Sequence, residues 1–146
     1  MSYLIAALAL LCSVAVVSGG EMLAGGNTPQ DPSDPEYMQH AWKAVQKINE
    51  DPAANSGPYV MIPIKVLKAE SQVVSGVIHK LEVLYGESTA KKGEVDLSTL
   101  SSANAQQRDG GNQAIFKVSH YARPWQNYEE VSAEKLRDLA PGELTY

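Results

Sequence analysis

Only one stretch of this chain carries the spacing of an amphipathic helix. From Pro35 to Asn49, the apolar residues Met38, Ala41, Trp42, Val45 and Ile48 recur every three or four positions. Asp34-Pro35 opens the stretch as an N-cap followed by proline at the first helical position, and Asp51-Pro52 stops it. After a turn-rich loop, Ala53 to Pro58, the apolar segments change period. Tyr59–Ala69 is dense in β-branched residues, with Pro63 implying an edge position or a bulge. Beyond a break at Gly76, the residues Val77, His79, Leu81, Val83 and Tyr85 alternate with Lys80 and Glu82. A third strand is expected over about Asn112–Ala122, turned by Pro124-Trp125, with Tyr128–Val131 as a short fourth. Ser132 then reads as the cap of a helical turn from Ala133 to Leu139, and the polar stretch Gly86–Gly111 as a long mobile loop. A lone helix has no second helix to bury its stripe against, so it must lie on a sheet. The pattern predicts an α+β fold: an antiparallel β-sheet meander wrapped around one long α-helix.

Composition narrows the function classes. The chain has 146 residues, 44% of them hydrophobic and 20% charged, which is a globular balance. Its net charge of −5, from 12 basic and 17 acidic residues with no long basic run, argues against nucleic acid and against anionic membrane surfaces. The apolar run Leu4–Val17 is shorter than the about 20 residues a bilayer span needs. It is followed by the small residues Ser18, Gly19 and Gly20 and has no flanking Lys or Arg, so residues 1–20 read as a signal peptide rather than an anchor. Residues 21–146 are then one secreted, extracellular domain, with a C-terminal extension from about residue 132. The single cysteine, Cys12, lies inside the leader. What folds after it has no thiol, which excludes a catalytic cysteine, a thiolate zinc site and an internal disulfide.

Signals for an enzyme are weak. The three histidines, His40, His79 and His120, show no HExxH motif and no pair at metal-ligand spacing on one element; His79 and His120 read as ordinary strand residues. Glu129-Glu130 reads as solvated charge, and Gly110-Gly111 as a turn without the helix a phosphate site needs. No enzyme activity, metal or cofactor is expected. The turns are more informative. In a meander successive turns alternate between the sheet's two ends, so the turn near Ser71–Gly76 and the one near Arg123–Gln126 share an end. If the segment before the helix pairs beside the first strand, its start near Gly25-Gly26 lies there too. Leu23-Ala24, Val73-Val74 and Trp125 would then share one rim. Turn tips are usually polar. An aligned apolar rim is therefore a candidate binding edge, unless the valines merely continue strands and Trp125 folds back on the core.

At these residues the chain resembles the cystatins. Gln72-Val73-Val74-Ser75-Gly76 matches their Gln-x-Val-x-Gly motif, Pro124-Trp125 their second-hairpin pair, and Leu23-Ala24-Gly25-Gly26 their N-terminal segment around a required glycine. All three occur in the family's order, over about residues 23–131. The resemblance implies a reversible, tight-binding inhibitor of papain-like, cathepsin-type cysteine proteases, acting as a tripartite wedge. Leu23 and Ala24 would enter the non-primed subsites, with Gly25 letting the segment bend. Gln72, Val73, Val74, Ser75 and Gly76 would cross the cleft, and Pro124 and Trp125 would cover its primed side. The lack of disulfides departs from most secreted animal cystatins and is shared with stefins and plant cystatins. Some cystatins also block legumain-type proteases through an asparagine in the helix-to-strand loop; Asn55 stands there, in Ala54-Asn55-Ser56 rather than the family's Ser-Asn-Asp, with a turn-forming role beside Gly57 as the other reading. The alternative function is a secreted cystatin-fold binding or antimicrobial protein without protease inhibition. Because Cys12 is expected to leave with the leader, the domain's melting temperature and any inhibition it exerts should be the same with and without dithiothreitol; a loss of either in reductant would contradict the thiol-free reading.

Overall fold

A computed structural model describes residues 27–140 together with Glu143. The leader with Cys12, the segment Leu23-Ala24-Gly25 and Pro141-Gly142 lie outside the described residues. Strand β1 (Asn27–Gln30) precedes helix α1 (Pro35–Lys43), which continues as α2 (Val45–Glu50). The remaining strands are β2 (Tyr59–Val74), β3 (Gly76–Lys91), β4 (Gln113–Arg123) and β5 (Tyr128–Asp138). They form one five-stranded antiparallel sheet in the order β1-β2-β3-β4-β5. The α+β meander around a single helical element is thus the observed fold.

The helix begins as its sequence dictates. The Asp34 carboxylate accepts the Glu36 N–H at 3.0 Å, and Pro35 occupies the first turn. Its interruption at Ala44 is a local tightening, where the Ala44 N–H bonds back to the Ala41 carbonyl at 3.2 Å. The apolar stripe still faces one way. Ala41, Ala44, Val45 and Ile48 are buried, while Met38 and Trp42 pack on the margin of the core. Opposite them stand Val60, Leu81, Val83, Tyr85, Phe116 and Val118. Tyr85 packs its edge on Phe116 with centroids 5.2 Å apart, and its hydroxyl donates to the Ala41 carbonyl at 2.6 Å. Burial of that ring pushes the phenol upward, so it stays a donor. Pro63 does sit at a bulge, since the β2–β3 register slips between Pro63 and Lys65.

Three expectations need correction. The helical turn from Ala133 to Leu139 does not form; β5 runs unbroken to Asp138, pairing back as far as Ala114 on β4. An unpaired β4 edge offers a full ladder of backbone hydrogen bonds, which outweighs a short helix with little to bury. The first turn is also shorter than the Ser71–Gly76 estimate, because Val74 already pairs with Gly76. Finally, Gly86–Gly111 is not simply a loop: β3 continues through it to Lys91, and the remainder is tied down. The Ser88 hydroxyl donates to the Val60 carbonyl at 2.7 Å. The buried Glu87 carboxylate takes the Arg108 guanidinium at 2.8 Å and the Asn112 N–H at 3.1 Å. Arg108 in turn lies 4.2 Å over the Tyr59 ring.

Where the helix ends, one buried amide joins it to the sheet. Asn49 Nδ2 donates to the Val45 carbonyl at 2.8 Å and to the Met61 carbonyl at 2.9 Å. Its Oδ1 accepts the Met61 N–H at 2.7 Å and Asn55 Nδ2 at 2.8 Å. Asn49→Leu keeps the branched heavy-atom skeleton and removes every hydrogen bond at once, leaving Met61's backbone groups unpaired in the core. We expect it to destabilise the fold by about 2–4 kcal/mol, read as a shift of the urea midpoint at unchanged slope.

Candidate functional site

Both tight hairpins end at the same edge of the sheet. Ser75 alone links β2 to β3, and Val77 at the start of β3 stands opposite Ala122 near the end of β4. The chain emerging before the helix starts here as well, because Asn27 pairs with Gln72. The rim inferred from turn parity is therefore real as far as the described residues reach, and Leu23, Ala24 and Gly25 are outside them. At this rim Val73 is 59% exposed, Val74 40% and Trp125 66%. Trp125 does not fold back on the core. Ser75 and Pro124 are exposed, Gln72 is half-covered, and Gly76 is buried.

The two tips are braced against each other. Gly76 has φ +121°, and a Cβ there would lie 2.6 Å from the Ala122 carbonyl oxygen and 2.8 Å from Arg123 Cγ. From the second hairpin, the Tyr121 hydroxyl donates to the Ser75 carbonyl. The Arg123 guanidinium lies over the rings of Tyr121, at 5.5 Å, and Tyr128, at 4.6 Å, and these two rings meet edge-on at 5.8 Å. The second tip is a 3-10 turn, Pro124–Gln126, closed by Asn127 in the left-handed region at φ 53°. Tyr121, Arg123 and Tyr128 escaped the reading of the sequence. Their alternation along β4 and past the Pro124-Trp125 turn was the one available signal.

The remaining candidates fall elsewhere. Asn55 lies at the opposite end, as expected, but its side chain is buried. Its Nδ2 donates to Asn49 Oδ1 and to the Tyr59 carbonyl at 2.9 Å, while Oδ1 accepts the Gly57 N–H at 3.2 Å. These bonds are those of the turn-forming reading, with the amide turned inward beside Gly57. Glu129 is not merely solvated: Lys43 first, then His120, hydrogen-bonds its carboxylate and holds it down at about 2. The three histidines gather in one cluster between helix and sheet. Burial, with His120 and His79 alongside, lowers His40 to about 4, and burial lowers His79 as well.

No family model matches the chain. Among curated proteins, Cystatin cpi-1 of Caenorhabditis elegans is 42% identical over 122 residues, covering 83% of this chain and 84% of that protein. The chain belongs to the cystatin superfamily. Onchocystatin of Onchocerca volvulus is 30% identical over 110 residues, 75% of this chain and 65% of that one. The salivary cystatin of the soft tick Ornithodoros moubata has a solved structure that matches with a TM-score of 0.64 at 26% identity, covering 77% of this chain and 98% of that chain. Cystatins are protease inhibitors and not enzymes. In this cystatin the rim geometry turns on Gly76. Gly76→Ala should cost about 1–3 kcal/mol through its backbone alone, and more through the contact with Ala122. The melting temperature should fall, with amide chemical-shift changes concentrated at Ser75–Val77 and Tyr121–Arg123.

Proposed function

We propose that this cystatin is a secreted, reversible, tight-binding inhibitor of papain-like cysteine proteases, with the rim entering the active-site cleft as a wedge. The observation that carries the reading is the level pair of apolar tips, Val73-Val74 and Trp125. Water-facing turns gain nothing in folding from such residues, whereas a cleft that buries them gains a great deal. In this reading Gln72, Val73, Val74, Ser75 and Gly76 span the cleft over the catalytic cysteine, and Pro124 stiffens the turn that sets Trp125 on the primed side. Leu23 and Ala24 occupy the non-primed subsites, with Gly25 as the bend. The Asn27–Gln72 pairing supports this, since it fixes Asn27, the first described residue, at the same edge. No covalent step is needed. Affinity comes from apolar burial, of which Trp125 can supply ~150–250 Å² within an interface near ~1,600 Å². The tips are cross-braced through Ser75, Gly76 and Tyr121, so little mobility is lost on binding. Secretion is supported by the leader's composition and by the salivary origin of the tick relative.

Trp125→Ala tests the wedge. It should speed dissociation from papain about 30-fold, equivalent to ~2 kcal/mol, with little change in association rate. The melting temperature should barely move, because an exposed side chain leaves no cavity. A Trp125→Ala protein that dissociates at the wild-type rate would remove Trp125 from the wedge. A wild-type protein that fails to inhibit papain at all would favour the non-inhibitory binding alternative.

A further inference from the structure

His40, His79 and His120 are far apart in sequence, yet the fold brings them to one place. His79 and His120 face each other as register partners on β3 and β4, and His40 descends onto them from α1. The His40 ring stacks on His120 at 3.9 Å with a 14° interplanar angle, and lies 4.9 Å from the His79 ring. Each residue offers one ring nitrogen, and these three nitrogens all lie within 4.8 Å of one another.

The polar environment of these rings is one-sided. His40 Nε2 faces Glu36 Oε2 at 3.3 Å, and the same oxygen is 3.9 Å from His79 Nε2. His120 Nε2 meets the Glu129 carboxylate, which Lys43 also holds. Nδ1 is buried without a hydrogen-bond partner in all three rings. One orphaned buried nitrogen is uncommon, and three side by side call for a ligand. Apolar side chains would fill this layer between helix and sheet without leaving any polar atom unmatched. A carboxylate facing one nitrogen of a histidine while the other is left free is the arrangement that surrounds histidine ligands of metal ions.

We propose that His40, His79 and His120 bind one divalent cation of the Zn²⁺ class, independently of the inhibitory rim. Imidazole nitrogens suit Zn²⁺, Cu²⁺ and Ni²⁺, whereas Mg²⁺ and Ca²⁺ demand oxygen ligands. A tetrahedral ion with Zn–N bonds of 2.0–2.1 Å holds its nitrogens about 3.3 Å apart. Closing the present spread requires the rings to rotate, which unstacks His40 from His120. Glu36, one helical turn before His40, stays on the Nε2 side of His40 and His79, where it orients the rings, so the fourth position falls to a water. His79 keeps 16% of its side chain exposed and provides the way in from solvent.

The test uses untagged protein, since a histidine tag would bind the probe itself. Titration with Zn²⁺ at pH 7.5 should show one saturable equivalent by calorimetry. In the same titration the imidazole nitrogen resonances of all three histidines should shift together, and the melting temperature should rise. His79→Gln, at the most accessible of the three positions, should weaken Zn²⁺ binding about tenfold or more while leaving papain inhibition intact. The proposal is overturned if no one-equivalent binding is seen, if the wild-type histidine resonances stay put, if His79→Gln binds as tightly as wild type, or if Mg²⁺ produces the same changes. The wild-type resonance measurement stands even if the variant folds poorly.

Discussion

The two hairpin tips are level because the backbone of one is pressed against the backbone of the other. Gly76 comes so near the Ala122 carbonyl oxygen that a side chain has no room, and its φ of +121° suits glycine alone. Tyr121 adds a hydroxyl bond to the Ser75 carbonyl at the same joint. With Ser75 the sole residue between two 16-residue strands, the turn has no slack to absorb movement. The exposure of Val73 and Val74 follows. They lie at the far end of β2, away from the positions against which α1 and α2 pack, so side chains near the tip can be apolar and still uncovered. Preorganisation of this kind reduces the ordering that a partner would have to impose.

At the other end, polar groups do what disulfides do in many secreted domains. No cysteine occurs after Cys12, so the helix is held by apolar burial and by a few saturated clamps. Asn49 and Asn55 share one hydrogen bond and spend their remaining capacity on the Val45, Met61, Tyr59 and Gly57 backbone. Tyr85 reaches the Ala41 carbonyl from below. Each clamp joins the helix or its following loop to β2 or β3, so the helix cannot shift along the sheet without leaving buried groups unpaired.

Local rules carried the reading of the sequence a long way, and they failed where pairing is non-local. The helix was legible because its stripe, cap and stop lie within about five turns of chain. The strands were legible from β-branched alternation, and the rim from parity, which needs only strand order. The segment Ala133–Leu139 was misread because what decides it is the open edge of β4, invisible in its own residues. The Glu87–Arg108 pair, which organises the stretch after β3, spans 21 positions and carries no pattern. The histidine cluster was missed for the same reason. Its two strand members meet through a register set by the whole course of the chain between β3 and β4, and the third arrives through helix placement. Asn55 shows what position alone leaves out: it stands in the loop as expected, and only burial reveals that its amide faces inward.

Residues at the rim divide by which free energy they serve. Val73, Val74 and Trp125 touch little in the folded protein, so folding places almost no constraint on them, and on solubility grounds alone polar residues would be favoured. Gly76, Tyr121 and Arg123 touch each other or the opposite tip, so folding constrains them strongly, although they present little surface outward. Substitutions in the first group should therefore move binding and leave stability alone. Substitutions in the second should move both, in proportion, because they tilt one tip relative to the other. A rim that arose as an accident of turn composition would show no such division, since nothing would require the braces to hold two apolar tips level. The separation of outward apolar residues from inward bracing residues is the division of labour that the proposed wedge requires.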